Sequence, residues 1–69
     1  MRKKMEELVE QMLDGKILLG EAMSEFEKLY IEKALRREKD HLSNTAETLG
    51  IHRNTLSRKI AEYRLRRTA

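Results

Sequence analysis

The last eighteen residues, His52 to Ala69, hold six bases, Arg53, Arg58, Lys59, Arg64, Arg66 and Arg67, against a single acid, Glu62. Within them "IHRNTLSRK" sets the charged groups among Asn54, Thr55 and Ser57, side chains that donate and accept hydrogen bonds. Charge interleaved with polar groups suits a polyanion. Guanidinium forks pair bidentately with guanine edges or phosphates, and amides and hydroxyls add shorter contacts. An ordinary solvated helix end also carries bases, because cations suit the negative end of the helix dipole. The chemistry on offer is binding. The chain has no Gly-rich phosphate loop, no Cys, and no His with an acid at triad or metal spacing; His41 and His52 stand eleven residues apart. No catalytic residue, metal, cofactor or small-molecule ligand is therefore expected. His41 beside Asp40 reads as a surface pair in a turn, and His52 as a helix-cap or groove residue.

The net charge of +3 is unevenly spread. Residues 1–20 are neutral overall, residues 21–51 carry five bases against seven acids, and residues 52–69 carry a net +5. Positive charge gathered in the last quarter is the footprint of a segment that approaches nucleic acid. The longest apolar run is Ile17, Leu18 and Leu19, far short of the roughly 18 residues a bilayer span needs. "MRKKMEELVE" has a basic tip with no apolar core behind it, unlike a secretory signal. With Cys absent as well, a soluble cytoplasmic protein with no membrane partner is the expectation.

A chain of 69 residues buries only about 60% of its unfolded surface, and without disulfides or metals self-association is the remaining source of stability. Pro is absent and helix formers dominate, which predicts an all-α fold. Met1, Met5, Leu8 and Met12 form one stripe on a first helix of about three turns, interrupted by Asp14 and Gly15. Lys16 to Gly20 reads as a buried connection or a short extra turn. A longer helix is expected from about Glu21 to Glu38 or Lys39, with Ser24 and Glu27 as a candidate capping box and Glu32 paired with Arg36 at i and i+4. Ala22, Met23, Phe26, Leu29, Tyr30, Ala34 and Leu35 give it an apolar face broad enough to touch both its own chain and a partner. Met5, Leu8, Met12, Phe26 and Tyr30 are the candidate dimerisation residues, and residues 1–39 and 40–69 divide into dimerisation helices and a DNA-binding unit within one compact domain.

The segment "NTAETLGIHRNTLSRKI" carries the sharpest pattern. Ser43 is the expected N-cap of a third helix running to Leu49, and Gly50 ends it in the left-handed conformation. A fourth helix starts near His52 or Arg53 and runs to about Arg64 or Leu65. Leu56, Ile60 and Tyr63 form its inner stripe, leaving Arg53, Asn54, Ser57, Arg58 and Ala61 outward. Ala46, Leu49, Gly50, Ile51, Leu56 and Ile60 are the candidate core of a helix-turn-helix, with Ala46 supplying the small side chain where the helices cross. An α-hairpin of a small bundle would show a similar Ala and Gly; the outward residues tilt the reading. A recognition helix enters the major groove by its N-terminal end, which puts His52, Arg53 and Asn54 nearest the base edges, with Ser57 and Arg58 a turn later. Thr55, Lys59 and Ser43 are better placed for phosphates.

These residues also resemble a known family. "NTAETLGIHRNTLSRKIAEY", and more weakly "EFEKLYIEKAL" upstream, are similar to the Fis-like helix-turn-helix of the nucleoid protein Fis and of the C-terminal domain of NtrC-type, sigma-54-dependent activators. Thr45, Ala46, Leu49, Gly50, Ile51, Arg53, Thr55, Leu56, Lys59, Ile60 and Tyr63 fall on its pattern. The resemblance implies a four-helix homodimer held by its N-terminal helices, with paired helix-turn-helix units reading an inverted repeat in double-stranded DNA. It assigns base contacts to His52, Arg53 and Arg58, and phosphate contacts to His41, Ser43, Asn44, Thr55, Ser57 and Lys59. Two positions depart from the pattern. Asp40 and His41 stand where the family usually has Gly and Asn, which puts that turn and its phosphate contact in question, and Arg64 stands where it often has Gly, which predicts a longer last helix.

The resemblance to the activator domain, strongest in "LGIHRNTLSRKIAEY" and at His52, implies an activator tail; sigma-54 RNA polymerase would then be a partner only through an ATPase domain that these residues do not include. A small Fis-type architectural protein that bends DNA is the neighbouring alternative. A purely structural dimerisation or protein-interaction module is the reading from another class, and Arg53 separates them, since its loss would spare dimerisation. A membrane-surface role for the basic helix is disfavoured because Leu56, Ile60 and Tyr63 are needed to fold onto the third helix.

Overall fold

The structure, a computed structural model, describes residues 1–65; Arg66 and Arg67, counted above in the basic cluster, lie outside the described residues. The four helices are α1 (Arg2–Asp14), α2 (Leu19–Arg37), α3 (Leu42–Leu49) and α4 (Arg53–Tyr63). The fold is all-α, with N-terminal helices followed by a helix-turn-helix, as the apolar spacing predicts.

The core lies where α2, α3 and α4 meet. Ile31, Leu35, Ala46 and Leu56 are buried together, Leu56 at 0% exposure, and Leu42, Leu49, Ile51, Ile60, Tyr63 and Leu65 pack around them. The second half of α2 is thus part of the helix-turn-helix body. Each fully buried Leu or Ile contributes about 1.5–3 kcal/mol relative to exposure, and in so small a core one truncation threatens the whole fold. Thr45 is the buried polar residue among the described residues, and its hydroxyl donates to the carbonyl of His41 at 2.8 Å, which satisfies its donor.

The helices share one way of stopping. After each, an amide one or two residues beyond the C-cap bonds the carbonyl five residues back: Ile17 to Met12, Asp40 to Leu35, Ile51 to Ala46, and Leu65 to Ile60, at 2.8–3.0 Å. This closure needs a left-handed residue in between, and Lys16, Lys39, Gly50 and Arg64 supply it, with φ of 57°, 52°, 72° and 54°. Only Gly50 was legible in that role. A Cβ at Gly50 would meet nothing within 4 Å, so its glycine answers to backbone angle and not to crowding. Arg64 corrects the expectation of a longer last helix: α4 ends at Tyr63, and Arg64 takes the left-handed conformation that lets Leu65 fold back onto the core. Asp40 likewise stands at φ 62°, a left-handed angle that glycine adopts without strain.

Other boundaries shift. The segment from Lys16 to Gly20 is not a buried connection: Leu18 and Leu19 are 69% and 79% exposed, and Leu19 already opens α2. The helix therefore starts before Ser24, and its reciprocal cap is Glu21, whose carboxylate accepts from the Leu18 amide at 3.3 Å. Ser43 is not the N-cap of α3. That role belongs to His41, whose Nδ1 accepts from the Asn44 amide at 3.2 Å. Glu32 and Arg36 do not pair; among the described residues the ion pairs are Arg2 with Glu6 at 2.8 Å and Lys59 with Glu27 at 3.0 Å.

Candidate nucleic-acid interface

Gly50 turns the chain sharply enough for α4 to cross α3 with Ala46 and Leu56 in contact range of the shared core. That crossing decides which side of α4 is left to solvent. Leu56 is sealed, Ile60 and Tyr63 are half-buried, and Arg53, Asn54, Ser57, Arg58 and Ala61 are exposed. The inward and outward sets match the sequence reading residue for residue.

The N-terminal end of α4 is tied down by His52, whose Nδ1 accepts from the Asn54 amide at 3.0 Å while its carbonyl accepts from Leu56. His52 is therefore an N-cap first. Its Nδ1 is committed to the helix, and any contact outward falls to its other ring nitrogen. The same holds for His41 at the start of α3, whose Nδ1 caps the helix by accepting from the Asn44 amide. Both helix starts are exposed, and the dipole of each favours an anion there.

Ser43 and Asn44 lie exposed in the first turn of α3, and Thr55 is half-buried in the first turn of α4. Arg53 and Arg58 are exposed and have no ion-pair partner among the described residues. Lys59 differs from the rest. It lies three residues after Leu56 and four before Tyr63, which turns it toward α2 instead of toward the open face. Its ammonium meets Glu27 Oε1 at 3.0 Å, and the Tyr63 hydroxyl donates to that same oxygen at 2.5 Å. The hydrogen bond from Tyr63 and then that from Lys59 hold the Glu27 carboxyl below its ordinary range. In return Glu27's acceptance of that hydrogen bond, together with burial, pushes the Tyr63 phenol up. The sequence reading had no role for Glu27 beyond a possible cap; nothing in the local pattern links residues 32 and 36 positions apart.

The described residues contain no group of three or more His, Asp or Glu side chains able to hold a metal, and no helix long and apolar enough to cross a membrane. The sequence matches the family described as "Bacterial regulatory protein, Fis family" over residues 22–63, more than half of the chain. The chain belongs to the Fis family. The matched span runs from the middle of α2's first turns to the end of α4, so it contains the core, both helix caps and the exposed arginines. Fis-family helix-turn-helix domains are regulatory and non-catalytic, and their general role is DNA binding. No curated protein and no solved structure matches the chain significantly.

The exposed apolar surface is the other outstanding feature of this Fis-family chain. Met5, Leu8, Val9, Leu13, Leu18, Leu19, Met23, Phe26, Leu29 and Tyr30 are all exposed, and α1 has no buried residue. Of the candidate dimerisation residues, Met5, Leu8, Phe26 and Tyr30 lie open and Met12 is half-buried. Phe26 and Tyr30 stack in a tilted pair at 5.8 Å, one turn apart on α2. These apolar side chains are uncovered in the first thirty residues.

Proposed function

We propose that this chain binds double-stranded DNA sequence-specifically as a homodimer, reading an inverted repeat with the N-terminal ends of two α4 helices. The observation that carries the reading is the exposed row Arg53, Asn54, Ser57 and Arg58 on a helix whose opposite side is sealed by Leu56. Arg53 and Arg58 are the base readers, joined by Asn54 and by the outward ring nitrogen of His52. Ser43, Asn44, Thr55 and Ser57 hold phosphates, with the α3 amide end capped by His41 beside them. The family pattern would add Lys59 and His41 to this set, but within the fold both are already engaged, Lys59 by Glu27 and His41 by the Asn44 amide.

The second copy is supported by the apolar residues of α1 and early α2, which a self-complementary contact would cover. Residues 1–39 then serve dimerisation and residues 40–69 DNA. Two recognition helices related by a two-fold axis would enter successive major grooves about 34–36 Å apart. The finer assignment is the DNA-binding domain of an NtrC-type, sigma-54-dependent activator in bacterial transcription regulation, supported by "LGIHRNTLSRKIAEY"; the polymerase would be met only through an ATPase domain.

Fluorescence anisotropy with labelled duplexes at several salt concentrations tests the reading. Binding whose logarithm falls linearly with log salt, with a residual preference for one duplex at high salt, is expected. Binding that is absent at low salt, with the dimer intact by sedimentation, would leave a structural module instead.

A further inference from the structure

Recognition helix α4 is held to the rest of the molecule by two kinds of contact. One is apolar, Leu56 in the core with Ile60, Tyr63 and Leu65 packed around it; the other is polar, the Glu27 carboxylate, which gathers Lys59 and Tyr63. We propose that Glu27 is a positioning residue that fixes the tilt of α4 on α2, and that Lys59 serves this clamp in place of a DNA phosphate. The proposal rests on the DNA-binding reading above and specifies how the dimer sets its half-site spacing.

The geometry is that of a lever. Glu27 lies next to Phe26 and three residues before Tyr30, where the surface of α2 passes from exposed apolar side chains to the buried Ile31. A single oxygen, Oε1, receives both the ammonium at 3.0 Å and the phenol at 2.5 Å, so the two grips on α4 converge on one atom of α2. Both partners are partly sheltered, Lys59 at 26% and Glu27 at 41% side-chain exposure. At 1.5 Å of rise per residue, Tyr63 stands about 10 Å beyond Leu56 on one side, and Arg53 about 4.5 Å on the other. Without the clamp α4 keeps its pivot at Leu56, while its far end keeps only the apolar contacts of Ile60, Tyr63 and Leu65 and loses the polar tie that fixes their position. Motion of about 2 Å at Tyr63 then carries the base-reading end by roughly 1 Å in the opposite direction. In a dimer built on α1 and α2, that motion changes the separation of the two reading ends. Lys59 lies off the open face that bears Arg53 and Arg58, and its charge is already matched by Glu27.

The test compares the parent with Glu27→Gln, Lys59→Ala, Tyr63→Phe and the double exchange of Glu27→Lys with Lys59→Glu. Each is measured against inverted repeats at the preferred separation and at separations one base pair shorter and longer, over a range of salt. The clamp predicts that Glu27→Gln and Lys59→Ala both flatten the spacing preference, by roughly fivefold or more, the lower end of a lost base contact. It predicts that the double exchange restores the preference, which a lysine needed by DNA could not allow. The salt slope stays that of the parent in Lys59→Ala. Loss of about 0.9 from that slope per protomer, with the spacing preference intact, would make Lys59 a phosphate ligand and overturn the proposal. Unchanged preference in every variant would overturn it too. A parent that binds no repeat at all would remove the DNA reading itself. Circular dichroism with the NMR titration of the Tyr63 phenol separates folding from positioning. In Glu27→Gln the helix signal persists, and the phenol moves back toward its ordinary value.

Discussion

Replacing His52 by Ala removes one acceptor from the start of the recognition helix and nothing from its backbone. The carbonyl of residue 52 still accepts from Leu56; what disappears is Nδ1, 3.0 Å from the Asn54 amide. The imidazole is exposed, so no packed volume is lost with it. The cost is therefore that of an N-cap alone, about 1 kcal/mol within a range of 0.5–2. In a domain of this size that lowers Tm by about 4–8 °C. Asn is among the best N-caps, so His52→Asn should fall within a few tenths of a kcal/mol of the parent. The assay is thermal unfolding by circular dichroism at one fixed protein concentration, because a dimer's Tm moves with concentration. DNA binding by the same two variants then separates capping from reading: if His52 also touches a base, Asn keeps stability and still loses discrimination. Equal destabilisation by Ala and Asn would refute the cap as the source of the effect, and no change in either would refute its importance.

Gly50→Ala should cost about 1–2 kcal/mol, because an L side chain at φ 72° carries the left-handed penalty although no atom obstructs the Cβ; urea unfolding reads it. Arg64→Gly should do the reverse, adding up to about 1 kcal/mol by relieving the same strain at φ 54°, seen as a higher urea midpoint with an unchanged m-value. The Glu27 cluster contributes a pH window. Glu27 is held below its ordinary range, so its contribution is complete above that range and is lost as pH falls through the lowered value. Tyr63 is pushed up by the hydrogen bond to Glu27, by burial, and by the charges of Glu27 and Glu62. Its contribution is complete below the ordinary phenol value of about 10 and is lost as pH rises through the raised one. The stability difference between parent and Glu27→Gln, followed across pH, should be flat between those limits and shrink at both ends; a difference independent of pH would contradict it.

The helix-turn-helix was legible in the sequence because its signals are local. Ala46, Gly50, Leu56 and Ile60 fall within fifteen residues, and period and glycine together leave few other arrangements. The outward row from Arg53 to Arg58 followed from the inner stripe. What the sequence hid lies in three places. Left-handed Lys16, Lys39 and Arg64 carry no compositional mark, since their conformation is imposed by the residue that packs or bonds after them. His41 caps α3 through a ring nitrogen, where Ser43 was the more familiar capping type nearby, although His52 in the same role on α4 was among the readings the sequence allowed. Glu27 meets Lys59 and Tyr63 only through the tertiary fold, and a surface acid on an amphipathic helix offers no hint of so distant a partner.

The most direct measurement is selection from a randomised duplex pool by the parent chain and by Arg53→Ala, followed by anisotropy on the selected sites. The account predicts that the parent enriches a two-fold symmetric repeat with half-sites about one helical turn apart. It predicts that Arg53→Ala binds that repeat no better than random DNA, losing about 1–3 kcal/mol per half-site while remaining dimeric. Enrichment of the same repeat by both chains, or of no repeat by the parent, would contradict it.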